Sequence, residues 1–205
     1  MKVKICGIKD VETARYAIER GADAVGFVFA KSKRKVTSEE ARMLVDSLPV
    51  HVLKVGVFVN EALEVVQEII AQTGINVVQL HGDESPQYCR QLAVPVIKAF
   101  SIESREDLQK IHEFDCDYAL LDSPKGKYRG GNGIKFDWSL LSQFDRRGKK
   151  IILAGGLDPN NVDDAIKEVL PYMVDVSSGV ETDGKKDFAK IETFLSKAKN
   201  REEVK

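Results

Sequence analysis

Cysteine is scarce in this sequence and badly arranged for either disulfides or metal: Cys6, Cys89 and Cys116 are odd in number and show no C-x-x-C spacing. No charged-then-apolar leader opens the chain, so a reduced, cytoplasmic setting is the expectation. Histidine is equally sparse. His51 and His112 fall at helical or helix-to-strand positions, away from His81, so no multi-histidine metal site can be assembled, and metal-dependent sugar-phosphate epimerases are disfavoured. Charge of one sign is missing too: 31 Lys and Arg stand against 32 Asp and Glu. That balance offers no basic surface to nucleic acid and no acidic tail, so any anion site has to be local. Apolar runs all stop short of the ~20 residues that span a bilayer, which removes the membrane reading. The first strand is not followed by G-x-G-x-x-G, as a dinucleotide site would require.

What the sequence does hold is a regular alternation. Strands are expected at 2–5, 24–29, 52–58, 77–80, 94–99, 118–121, 151–154 and 173–176. Between them lie helical segments, the first over 10–20 with Val11, Ala14 and Ile18 on one face. Their starts are marked by a Thr37 to Glu40 capping box, by Asn60, Ser85-Pro86, Ser104 and Asp137, and by Asp158-Pro159. The strands read as nearly continuous apolar runs, buried on both faces as parallel strands under helices must be. Eight strand-helix units in 205 residues leave about 25 residues each, which predicts a lean α/β protein, a single-domain (β/α)8 TIM barrel over 1–205. A doubly wound open sheet also alternates strand and helix and is the competing architecture. The longest irregular stretch, 123–135, carries four glycines and suggests a lid or simply a pliant loop.

A parallel barrel puts its reactive side chains at the C-terminal ends of its strands. Gly155 and Gly156 follow the seventh strand, and Ser177, Ser178 and Gly179 follow the eighth, where barrels hold phosphate on exposed backbone N–H groups. Ordinary tight turns would look similar singly; two consecutive ones at these strands favour phosphate. Cys6 ends the first strand as a candidate base, provided a cationic environment makes its thiolate available; packing is the competing role. Asp122 ends the sixth strand at the rim of an apolar interior, placed to deliver a proton or to cap the following loop. Arg34, in the charged run 31–35, is either solvated or offered to a carboxylate in a two-pronged hydrogen bond, across the rim from the phosphate loops. His81 is a substrate contact or a polar rim residue.

These residues sit in runs that resemble the phosphoribosylanthranilate isomerase family over essentially the whole chain. The runs are Lys4-Ile-Cys-Gly-Ile8, Gly21-Ala-Asp-Ala-Val-Gly-Phe-Val-Phe29, Val55-Gly-Val-Phe-Val-Asn60, Val78-Gln-Leu-His-Gly82, Leu153-Ala-Gly-Gly-Leu157 and Val174-Asp-Val-Ser-Ser-Gly-Val-Glu181. The resemblance implies a cofactor-free Amadori rearrangement of a phosphorylated small molecule, with Cys6 as general base and Asp122 as general acid. It implies that Arg34 meets the anthranilate group and that Gly156, Ser178 and Gly179 lie in phosphate loops. Another phosphosugar enzyme and a phosphate-ligand sensor on the same barrel remain the alternatives, and the oligomeric state is not legible from sequence.

Overall fold

The structure is a computed structural model that describes residues 1–123, 137–142 and 144–199. Its centre is a closed ring of eight parallel strands: β1 (Lys2–Cys6), β2 (Ala24–Val28), β3 (Leu53–Phe58), β4 (Val77–Leu80), β5 (Val96–Ser101), β6 (Tyr118–Asp122), β7 (Lys150–Leu153) and β8 (Met173–Val176). Closure is made by β1 pairing with β8, Lys2 opposite Met173 and Lys4 opposite Asp175. An open sheet is thereby excluded, and the strands expected from sequence are all found within about two residues.

Around the ring run α1 (Val11–Glu19), α2 (Ser38–Asp46), α3 (Leu63–Thr73), α4 (Pro86–Arg90), α5 (Arg105–Lys110), α6 (Val162–Val169) and α7 (Phe188–Lys199). Thr37 and Glu40 form the reciprocal capping box, and Asp10 and Ser85 accept from Thr13 N and Tyr88 N. Three expected starts shift. Asn60 takes a left-handed φ of 52° and its side chain goes to Asp83, so α3 begins later, after Ala62. Asp158 closes a turn on Asn160 N, and α6 starts one turn on, after Asn161. At Asp137 no α-helix follows: Trp138–Leu141 is a single turn of 3-10 helix, with Asp137 accepting from Ser139 N. The glycine-rich stretch read as a lid falls outside the described residues.

Two apolar layers result, because alternate strand residues point to opposite faces. Outward-facing Val3, Ile5, Val25 and Phe27 pack on the helices, with Ala14, Leu44, Val66, Ile166 and Phe194 answering them. Inward-facing Ala24, Val55, Val77, Ile97, Leu120, Ile152 and Met173 fill the barrel itself. Helix α7 packs on β1 and on the 3-10 turn Ser178–Val180 after β8, with Ile191, Phe194 and Leu195 at or near full burial. Each such side chain contributes about 1.5–3 kcal/mol to holding this last helix on the barrel. The interior is not uniformly apolar, however: Lys4, Gln79 and Asp175 are buried among these residues.

Candidate active site

The strand ends converge on one cavity of about 820 Å³ at the C-terminal mouth, a size suited to a small ligand. It is lined by Cys6 from β1, Arg34 from the loop after β2, Gln79 from β4 and His81 just after it, Asp122 from β6, Gly155 and Gly156 after β7, and Asp175 from β8 with Ser177 and Ser178 just after it.

On the β1 side, Cys6 and Lys4 are two residues apart and so share the inward face. Gly26 on β2 makes room for both: a Cβ there would lie 2.8 Å from Cys6 Sγ and 3.2 Å from Lys4 Cε. Lys4 is fully buried, and its Nζ donates to Asp175 Oδ1 at 3.0 Å. Burial opposes this ammonium, but Asp175 and Cys6 outweigh it and hold Lys4 above the usual lysine range. The Cys6 thiol is pushed up overall. Burial is the main cause, Lys4 and Lys186 pull the thiol down, and Asp175 pushes it up. The cations required for a usable thiolate are therefore present, and burial works against them.

Across the cavity, Asp122 Oδ1 accepts from Ser123 N at 2.8 Å, while its Oδ2 lies 3.2 Å from His81 Nε2. His81 Nδ1 in turn is 3.0 Å from Gln79 Nε2. With Gln79 donating, Nδ1 is the acceptor and Nε2 carries the proton toward Asp122. Gln79 Oε1 is buried and has no partner among the described residues. The loop bearing His81 is pinned from outside by Lys98, whose Nζ donates to the carbonyls of Leu80, Gly82 and Ala99 and to Glu84.

Arg34 does make a two-pronged hydrogen bond, but within the chain: Nε to Glu181 Oε1 at 2.6 Å and Nη2 to Oε2 at 2.9 Å. Glu181 also meets Lys186 at 3.0 Å and Lys33 at 3.4 Å. Although burial disfavours its charged form, Arg34 and Lys186 outweigh that and hold the Glu181 carboxyl down at about 2. Arg34 is thus not across the rim from the loop after β8, as the sequence reading had it, but beside it. Barrel closure makes β8, β1 and β2 consecutive, which brings the loops after β2 and β8 together.

Gly155 and Gly156 take left-handed φ values of 79° and 66° on the cavity wall. Ser177 lines the cavity too, but its hydroxyl donates to Cys6 O at 3.1 Å, so its proton is already directed. Gly179 is not on the wall. A Cβ there would lie 1.9 Å from Leu157 O, so its glycine lets the loops after β7 and β8 touch.

Eight of the nine side chains and turns expected from sequence therefore border one cavity. Residues 3–197 match the family model described as N-(5'phosphoribosyl)anthranilate (PRA) isomerase. The chain belongs to that family. It is accordingly an isomerase. Its relatives include the N-(5'-phosphoribosyl)anthranilate isomerase of Bacillus mycoides strain KBAB4, 55% identical over 200 residues and covering 97% of this chain and 98% of the relative. The solved phosphoribosyl anthranilate isomerase of Thermotoga maritima is 44% identical, with a TM-score of 0.89 over 97% of this chain and 98% of the other. A further solved family structure, at 43% identity and TM-score 0.86 over 97% and 98% of the two chains, is a complex with reduced 1-(o-carboxyphenylamino)-1-deoxyribulose 5-phosphate.

Sequence reading missed Gln79, Asp175, Lys4, Glu181 and Lys186. For three of them the signal was available: Lys4 and Cys6, Gln79 and His81, and Asp175 and Ser177 are polar pairs two apart in or at the end of otherwise apolar strands, whereas nothing of the kind marks Glu181 and Lys186. That spacing puts each pair on one face.

Proposed function

We propose that the chain converts N-(5'-phosphoribosyl)anthranilate into 1-(2-carboxyphenylamino)-1-deoxyribulose 5-phosphate, a step of tryptophan biosynthesis, as a single cytoplasmic catalytic domain using general acid–base catalysis. The observation that carries the mechanism is that Cys6 and Asp122 border one cavity from strands three apart around the ring, with the glycine turns after β7 and Arg34 flanking them. A ligand seated between the two would meet a thiol on one side and a carboxyl on the other.

Asp122, protonated, gives its proton to the furanose ring oxygen; the C1–O bond breaks and the anilino nitrogen lone pair forms the Schiff base. Cys6, as thiolate, removes the proton from C2, and those electrons form the C1–C2 double bond of an enolamine. The enolamine then tautomerises, its C2 hydroxyl becoming the ketone. His81, fixed by Gln79, holds the Asp122 carboxyl toward the cavity. The backbone N–H groups of Gly155, Gly156 and Ser178 receive the phosphate, and Arg34 meets the anthranilate carboxylate with donors left over from Glu181. Gly179 serves by letting those loops approach.

The test is a time course of phosphoribosylanthranilate fluorescence with Cys6→Ala and Asp122→Asn. Loss of a general acid or base costs ~100-fold to 10,000-fold in turnover, so each variant lowers kcat by that much and moves KM little. A folded Cys6→Ala protein with near-normal kcat would return the thiol to packing and move the base to another strand end.

A further inference from the structure

The floor of the cavity, where Asp175 reaches the wall and Lys4 lies below it, holds an ion pair that the proposed acid–base chemistry leaves unused. Lys4 and Asp175 are register partners on β1 and β8, both inward, with side-chain exposures of 0% and 8%. Burying such a pair is expensive, and apolar residues of the same volume commonly serve stability as well or better. Stability alone therefore gives little reason for it here, directly under Cys6.

A second buried lysine pair is a useful contrast. Lys98 with Glu84 is equally buried, yet Lys98 spends its ammonium on three carbonyls and a carboxylate around the β4 loop, which fixes backbone. An ammonium has three N–H groups. Among the described residues Lys4 makes one hydrogen bond to an oxygen, that to Asp175, and turns the rest of its charge to Cys6 on the same face of β1. Gly26, opposite, contributes no side chain that would separate them.

We propose that Lys4 and Asp175 are positioning residues that set the charge state of Cys6 in opposition to one another, the ammonium drawing out the thiolate and the carboxylate limiting that draw. The charged groups that face the thiol are Lys4 from β1, Asp175 from β8 and Lys186 from the short antiparallel hairpin after β8, Glu181–Thr182 paired with Lys185–Lys186. Both cations draw on the thiol, Lys4 the more strongly, while Lys186 is also engaged by Glu181 and by the Ser177 carbonyl. The inference extends the assignment of Cys6 as base, but the ionisation of the thiol can be read without catalysis.

The experiment is the pH dependence of Cys6 alkylation by iodoacetamide, read from the mass of the Cys6-bearing peptide, which separates it from Cys89 and Cys116. An opposite charge within ~4–6 Å moves an ionisation by about 1–3 pH units, so Lys4→Met displaces the profile upward by about a unit or more. Asp175→Asn removes the like charge and displaces it downward. Opposite displacements support the proposal; displacements in the same direction, or none, overturn it. If Lys4→Met fails to fold because Asp175 is left unpaired, the double variant Lys4→Met/Asp175→Asn replaces it, its profile expected above that of Asp175→Asn alone. Opposite displacements together with a normal kcat for Cys6→Ala would sink the base assignment and leave the charge control standing.

Discussion

Glu181 gathers three cations, and its removal by the isosteric change Glu181→Gln has a size and a pH signature that follow from the structure. Its carboxylate receives two hydrogen bonds from Arg34 and one from Lys186, with only 6% of the side chain exposed. These contacts hold its carboxyl at about 2 against an ordinary 4.5. Between those values the unfolded chain binds the proton and the folded one does not, so stability rises with pH. The contribution is complete above 4.5 and is lost as pH falls through about 2. Such an interval corresponds to about 3 kcal/mol, an order-of-magnitude figure. Urea unfolding of both proteins at pH 7 and pH 3 measures it. The wild type is expected to be more stable by about that amount at pH 7 and the gap to shrink at pH 3, because the glutamine has no proton to gain. A gap that stayed constant with pH, or no gap at pH 7, would mean that the three cations do not depend on this carboxylate.

Two further outcomes follow from the same corner of the molecule. Gly179→Ala forces a Cβ against the Leu157 carbonyl, an overpacking expected to cost about 1–3 kcal/mol and to lower Tm by several degrees; an unchanged melting curve would refute the loop contact. Arg34→Ala should weaken a carboxylated product analogue by about 10-fold or more, the loss of one charge-assisted contact. Because Lys186 links Glu181 to the Ser177 carbonyl, inhibition by inorganic phosphate should also weaken, though less; fully intact phosphate inhibition would show that the loops after β2 and β8 act independently.

The eight strands were legible because their hydrophobic runs are short, Val- and Ile-rich and evenly spaced, and parallel pairing tolerates an end shifted by a residue. Helix starts were legible where a side chain caps locally, as at Thr37 and Ser85. They were misread where the same side chain is spent elsewhere: Asn60 reaches Asp83 and Asp158 closes a turn, and nothing local distinguishes those uses from a cap. The strand-end rule located Cys6, Asp122 and the glycine turns, since position along a strand is a one-dimensional property. Closure is not. That Arg34 neighbours Glu181, 147 residues away, depends on β8 meeting β1, and a linear reading placed it across the rim instead. Reading the strands as nearly continuous apolar runs hid Lys4, Gln79 and Asp175, which the period of two would have exposed as inward polar positions.

Net charge and site charge point in different directions for a physical reason. The whole chain stands at −1, yet around Glu181 three cations, Lys33, Arg34 and Lys186, meet one carboxylate. Three like charges converging without Glu181 would repel one another and leave Lys186 buried unpaired, which explains why an acidic residue stands where an anionic ligand is proposed to bind. Lys33 is largely exposed, but Arg34 and Lys186 lie in the shielded mouth with one carboxylate between them, so a local positive excess remains there, where field strength exceeds that of the same charges in open water. A ligand with two anionic ends can use that excess without a basic protein surface. Glu181 holds Arg34 through Nε and Nη2 only, so among the described residues the remaining guanidinium donors stay free for the carboxylate proposed to meet them while Lys186 is kept paired.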